Sequence, residues 1–306
     1  MNIVILGGCG FIGSHLAEIL SEEGHSITIF DYLNAGRKNL EHIQDKVRFV
    51  GGDFTNATDV ARVIEGAEIV VHLISSTLPG NSLKNPIYDI EVNVIGSINL
   101  FEQCVKACVR KVVFISSGGT VYGIPQSTPI KETHALNPIN PYGLSKMAIE
   151  KYLGLYFYHY GMDFTVLRLS NPYGSRQNPI TGQGVIASWM HKVKNGEPIE
   201  VWGDGTIIRD YVYIKDAVRA LKLAALVSSD QKVFNVGSGK GHSLLQLHEV
   251  LEEVIGRHVP VTFKNARRVD VPINILDISL IKALLGWEAE TDLKDGMGLM
   301  WRSLSK

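Results

Sequence analysis

A tyrosine and a lysine four positions apart on a helix share one face, and this chain holds that spacing twice, at Tyr142/Lys146 and Tyr211/Lys215. A nearby ammonium favours phenolate and lowers the phenol from its usual ionisation near pH ~10. The product is a base that can take a proton from an alcohol while hydride leaves the same carbon. Context separates the two pairs. Asp210-Tyr211-Val212-Tyr213-Ile214 alternates like a strand, where residues four apart stand too far from each other to cooperate. Tyr142 instead opens a helix directly after Asn140-Pro141, a good start signal. A strand ending in Ser116-Ser117-Gly118-Gly119-Thr120 precedes it and can bring a hydroxyl to the same edge. The predicted catalytic group is therefore Tyr142 and Lys146, with Ser117, Thr120 or a water supplying the hydroxyl.

The second chemical feature is at the start of the chain, where an apolar run meets Gly7-Gly8-Cys9-Gly10-Phe11-Ile12-Gly13. Glycines at 7, 10 and 13 permit a tight turn, a close backbone approach to a pyrophosphate, and close packing of helix on strand. The helix N-terminus then faces the phosphates with its partial positive charge. Alone, a glycine triplet is a weak signal. Here it lies between a predicted strand and a predicted helix, and Asp31 closes the second strand eighteen positions after Gly13. An acidic residue there bonds ribose hydroxyls and repels a 2′-phosphate, so the expected cofactor is NAD rather than NADP. Arg37 and Lys38, just beyond it, weigh the other way. Asp53, in Gly51-Gly52-Asp53-Phe54, is either an adenine contact or a strand-end aspartate capping the next helix.

These residues need elements to carry them. Continuous apolar runs at residues 2–6, 26–30, 47–50, 69–74, 111–116, 164–169 and 233–236 read as parallel strands covered on both faces. Segments such as 11–23, 92–108 and 142–160 carry apolar residues at helical spacing between them. The expected fold is α/β: a Rossmann-type doubly wound parallel sheet with a smaller α/β C-terminal substrate lobe. The cofactor domain is expected over 1–170 plus about 210–237, and the substrate lobe over 171–209 and 238–306. In open parallel sheets ligands bind at the carboxyl edge, so the substrate belongs between the lobes.

Composition narrows the partners. With 306 residues, 45% hydrophobic, and a formal net charge of -1, nothing favours nucleic acid or an anionic membrane. Three cysteines, with no CxxC and no Cys/His spacing, argue against a disulfide framework and against a metal site. Cys104 and Cys108, four apart, read as small buried hydrophobes. Met1 leads straight into an apolar strand with no basic region before it, and no run approaches the roughly 20 apolar residues of a membrane helix. The expected location is cytoplasmic.

Taken together, the motifs resemble the extended short-chain dehydrogenase/reductase superfamily and, within it, the UDP-glucose 4-epimerase branch. The resemblance is carried by Gly7–Gly13, Asp31, Asp53, Asn93, Val121-Tyr122-Gly123 with the residues before it, Pro141 to Lys146, Arg168 to Gly174, Arg209-Asp210-Tyr211-Val212 and Arg267-Arg268-Val269-Asp270. It implies cofactor contacts from Phe11, Ile12, Asn34, Gly36, Phe54, Leu73 and Asn93 besides the glycines, Asp31, Asp53 and the Tyr142–Lys146 pair. It implies that Asn171, Arg209 and Arg267 hold the diphosphate of a UDP-sugar and that Asp270 binds the nucleoside ribose. Arginine suits that task because its planar fork meets phosphate oxygens in pairs. Asn274 stands at the position that limits the size of the sugar C2 substituent, and is small enough to predict room for an N-acetyl group.

One departure concerns Gly118, where well-known epimerases carry Ser or Thr. A second concerns Gly119-Thr120, where sugar dehydratases carry an Asp-Glu pair and decarboxylases a Glu. Without that acid, the resemblance implies 4-epimerisation of a UDP-hexose through a 4-keto intermediate. The alternatives are a nucleotide-sugar dehydratase or reductase, and a non-catalytic NAD(H)-binding regulator. Tyr152, Tyr156, Phe157, Tyr158 and Tyr160 exceed what one helix needs for its own core. They fit either a two-fold helical interface in a homodimer or packing against the second lobe.

Overall fold

The computed structural model describes residues 1–180, 184–266 and 271–304. The first part alternates strand and helix: β1 (Asn2–Leu6), α1 (Phe11–Glu22), β2 (Ser26–Asp31), β3 (Val47–Gly51), α2 (Ala57–Ile64), β4 (Ile69–His72), α3 (Pro86–Asp89), α4 (Gly96–Lys106), β5 (Lys111–Ser117), α5 (Pro141–Tyr160) and β6 (Asp163–Leu169). Then come β7 (Asn171–Tyr173), α6 (Val185–Lys194), β8 (Ile199–Trp202), β9 (Ile208–Tyr213), α7 (Ile214–Leu226), β10 (Val233–Val236) and β11 (Gly241–Ser243). The last elements are α8 (Leu244–Ile255), β12 (Val261–Lys264), β13 (Ile273–Asn274), α9 (Ser279–Leu285) and α10 (Leu293–Leu304).

Seven strands form one parallel sheet in the order β10-β6-β5-β4-β1-β2-β3. Alternate residues of β1 enter opposite cores. Ile3 and Ile5 pack with Leu16 and Leu20 of α1 and Leu221 of α7, while Val4 and Leu6 pack with Val60 of α2, Leu100 of α4 and Leu153 of α5. Covering on both faces is why these strands are continuously apolar. Strand order reverses between β1 and β4, so their carboxyl ends open a crevice for ligand. A smaller sheet, β11-β9-β13 with β7 also paired to β9, stands beyond that edge.

Two boundaries differ from the sequence expectation. The strand expected over 69–74 ends at His72, and Ile74 turns past Gly7 within van der Waals contact. The helix expected over 92–108 is preceded by a π-helical turn (Ile90–Ile95) and stops at Lys106. Cys108 lies past its end at φ 55°, exposed, so only Cys104 is a buried hydrophobe. A left-handed residue there ends the helix before the expected periodicity runs out.

Candidate active site

Helix α5 begins as its sequence demands. Asn140 caps it by accepting from the Gly143 amide at 2.8 Å, and Pro141 occupies the first turn, where no amide is needed. The helix places Tyr142 and Lys146 on the side facing the carboxyl end of β5. Lys146 is buried; its Nζ donates to the Ile115 carbonyl at 3.0 Å and lies 4.7 Å from the Phe114 ring centre and 5.6 Å from that of Tyr142. Burial pulls the ammonium down to about 8, while the carboxylates of Asp89 and Glu150 oppose the fall. Burial pushes the Tyr142 phenol up to about 12 and Asp89 adds to the rise, whereas the hydroxyls of Ser75 and Ser117 draw it down. Two hydroxyls therefore stand beside the phenol, those of Ser75 and Ser117, and of the two expected candidates it is Ser117. The Thr120 hydroxyl is buried with no hydrogen-bond partner among the described residues.

Gly118 is explained by packing. A Cβ there would stand 2.6 Å from Leu276 Cδ1 and 3.0 Å from the Arg168 carbonyl. Its own carbonyl accepts from Asn274 Nδ2 at 2.9 Å. The loop after β5 is thus pressed against the second lobe, and a larger residue at 118 would push the two apart.

At the other side of the crevice, Gly7 turns the chain with φ 83°, and Gly13 lets α1 meet that turn: a Cβ on Gly13 would lie 2.5 Å from the Gly7 carbonyl oxygen. Gly10 caps α1 without a side chain, so the first amides, from Phe11 to Gly13, keep the free N–H groups of a helix start. Asp31 accepts from the Cys9 amide at 3.0 Å, which sets its carboxylate beside the loop. A dinucleotide's pyrophosphate and ribose fit this arrangement of donors and acid. Asn34 and Gly36 are exposed in the loop after β2, and Leu73 is half-buried just past β4.

Three other expected contacts also have partners within the protein. Asp53 accepts from both the amide and hydroxyl of Thr55 at 2.8 Å, a local turn leading to α2, whose cap is Asn56. The Phe54 side chain is 2% exposed and packs 5.0 Å from the His72 ring. Asn93 accepts from the Ser76 amide at 3.1 Å and donates to Thr77 Oγ1 and Asp89 Oδ1 at 3.1 and 3.2 Å. Both ends of its amide are used within the protein, holding the loop that follows β4.

The substrate-side residues converge on β9. Strand register pairs Asn171 with Tyr211 and Asn274 with Arg209. Asn171 Nδ2 donates to the Asp210 carbonyl at 2.9 Å, and Arg209 Nη1 to the Val271 carbonyl at 2.5 Å. Arg267 and Asp270 lie outside the described residues. The competing pair is separated by structure: Tyr211 is on β9 and Lys215 on α7.

The comparisons with known proteins agree with this geometry. A model of the NAD dependent epimerase/dehydratase family matches residues 3–237. The chain belongs to that family. It is 38% identical to a putative UDP-glucose 4-epimerase of Methanocaldococcus jannaschii over 96% of this chain and 95% of that one. It is similar to the crystal structure of UDP-glucose 4-epimerase with UDP-glucose from Thermotoga maritima, with 36% identity, TM-score 0.95, and coverage of 100% and 99%. It is also similar to the UDP-N-acetylglucosamine 4-epimerase of Methanobrevibacter ruminantium in complex with UDP-N-acetylmuramic acid, with 29% identity, TM-score 0.93, and coverage of 99% and 98%. The protein is an NAD-dependent enzyme of the epimerase type. No helix among the described residues is long and apolar enough to cross a membrane.

In this family member, sequence reasoning missed several residues that touch the site. Ser75 reaches the phenol from beyond β4, where no pattern marked it. Glu150, one turn after Lys146, accepts from Ser116 at 2.5 Å and pairs with Arg168 at 2.7 Å, all three buried. Arg168 Nη1 donates to the Tyr122 hydroxyl, which donates to Asn235 at 2.7 Å. The signal for Glu150 was present in its helical spacing from Tyr142 and Lys146. Asn39, which donates to the Cys9 carbonyl at 3.1 Å, had none.

Proposed function

We propose that this chain interconverts UDP-hexoses at C4, acting on UDP-glucose and UDP-galactose or on the corresponding N-acetylhexosamine pair. The observation that carries the proposal is the Tyr142–Lys146 pair at the sheet's carboxyl edge, with the Ser117 hydroxyl beside the phenol. In this reading Tyr142 takes the proton of the C4 hydroxyl, and Ser117 holds the same oxygen. NAD, bound at Gly7–Gly13 and Asp31, supplies the acceptor and then the donor of two electrons. The 4-keto sugar would turn in the cleft so that the opposite face of C4 receives the returning hydride, while Tyr142 returns the proton to its oxygen. Lys146, protonated beneath the ring, offsets the negative charge on the phenolate. Asn171, Arg209 and Arg267 hold the diphosphate, and Asp270 the ribose.

The segment Gly118-Gly119-Thr120 carries no acid, which favours epimerisation over dehydration, because loss of water from the sugar needs an additional proton donor and base. Asn274 takes the place of a larger gate beside the sugar, and it is already anchored to the Gly118 carbonyl. That supports a C2 acetamido group as well as a hydroxyl. A homodimer through α5 belongs to the same proposal. The deciding experiment is proton NMR of the anomeric region with UDP-glucose and, separately, UDP-N-acetylglucosamine. We expect galacto signals with both sugars, abolished in Tyr142→Phe. Unchanged spectra from folded, NAD-loaded protein would refute these substrates.

A further inference from the structure

Helix α3 is a single turn opened by Pro86 and capped by Asn85, and it runs directly into the π-helical turn. π turns concentrate where an irregular helix serves a site. Here the irregular segment brings Asp89 and Asn93, four apart, to face inward, both buried. Asp89 is 0% exposed, and its carboxylate accepts from three donors: Thr77 Oγ1, Asn93 Nδ2 and Ser145 Oγ. None of the three is a cation. Ser145 precedes Lys146 in α5, and Thr77 follows the Ser75 whose hydroxyl sits beside Tyr142.

We infer that Asp89 is a positioning residue for the Tyr142–Lys146 pair, a fixed negative charge tethered to α5 through Ser145 and to the loop after β4 through Thr77, and that it sets the pH range in which the pair works. The groups around the pair leave that role to Asp89. From α5 itself comes Glu150, whose charge is met by Arg168 at 2.7 Å. From β4 comes His72, buried and pulled down to about 3 chiefly by burial, hence neutral. From β5 come the Ile115 carbonyl, the Phe114 ring and the Ser117 hydroxyl, and from the loop after β4 the Ser75 hydroxyl. Asp89 acts on both members with the same sign: it opposes loss of the proton from Lys146 and from Tyr142. A buried charge in poor screening reaches both groups without touching either.

Removing that charge while keeping the shape tests the inference. Asp89→Asn in the NAD-loaded enzyme is compared with wild type by two readouts. The first is the titration of Lys146 by heteronuclear NMR of carbon-13-labelled lysine, assigned with Lys146→Arg. The expected result is a midpoint lowered by about one pH unit. The second is the pH profile of kcat/KM for the UDP-sugar, whose two limbs should both move to lower pH. The second readout rests on the epimerase reading and the first does not. If wild type turns over neither UDP-sugar, that reading fails while the lysine titration still decides this one. A folded Asp89→Asn with an unmoved lysine midpoint overturns the inference, even if kcat falls. Asp89→Ser replaces it if the amide does not fold; if neither neutral variant folds, Asp89 is a structural brace and the inference falls.

Discussion

At the scale of single residues, the open question was which hydroxyl serves the reacting oxygen once Gly118 has none. Ser117 and Thr120 were equivalent in sequence, and the structure separates them by what their hydroxyls meet. That of Ser117 draws the Tyr142 phenol down, while that of Thr120 is buried and unpartnered. Restoring a serine at 118 is no remedy, since its Cβ would collide with Leu276. Ser117→Ala should therefore lower kcat by about 10²-fold, the usual cost of losing a hydrogen bond to developing charge. Thr120→Ala should change kcat by less than about 5-fold, because removing an unpaired buried hydroxyl forfeits no bond. Initial rates from the anomeric signals of the UDP-sugar measure both. A larger loss in Thr120→Ala would reverse the assignment.

At the scale of elements, the pair is only as well placed as α5 is braced against β5 and β6. The brace is the buried Glu150–Arg168 contact, with two further bonds from Arg168 Nε to Glu150 at 3.1 and 3.2 Å and one from Arg168 Nη1 to the Glu132 carbonyl at 3.0 Å. Arg168→Met would leave the Glu150 charge buried without a cation, held only by the Ser116 hydroxyl. The expected loss is about 3–5 kcal/mol in urea unfolding, with much of it regained in Glu150→Leu/Arg168→Met, because matched apolar groups tolerate burial that a lone charge does not. A loss below about 1 kcal/mol in the single variant would mean that the brace is idle. These elements were unequally legible in the sequence. Parallel strands showed themselves because burial on both faces makes them predominantly apolar rather than alternating, and α5 because Asn140-Pro141 is a start signal. The π-helical turn did not, since its spacing departs from the helical period that the sequence was read with. Nor did the Asp89–Thr77–Ser145 cluster, whose members come from three separate segments and meet only through the fold. Asn93 was singled out as a cofactor contact, and no pattern marked the bonds that its amide makes to Ser76, Thr77 and Asp89.

At the scale of the whole molecule, the remaining feature is the outer face of α5. Phe157 and Tyr156 are accounted for within the chain, by Phe164 at 6.0 Å and Phe101 at 5.5 Å. Leu144, Ala148, Leu155 and Tyr158 instead follow helical spacing along the opposite side, with Leu144 and Leu155 both 51% exposed and Tyr158 82%. Ile95, the last residue of the π-helical turn before α4, is 48% exposed. From Leu144 to Tyr158 this row is about 21 Å long, interrupted once by the exposed Lys151, and it could reach the roughly 800 Å² per partner of a stable interface only with a contribution from α4. A second copy related by a two-fold axis would cover it with the same stripe, since such an interface is self-complementary. Light scattering at micromolar concentration should then give twice the chain mass for the wild type. Leu155→Glu, which puts two like charges near the axis, should give the chain mass with the fold intact by circular dichroism. A monomeric wild type would mean that the stripe stays in water and that the homodimer is not this protein's state.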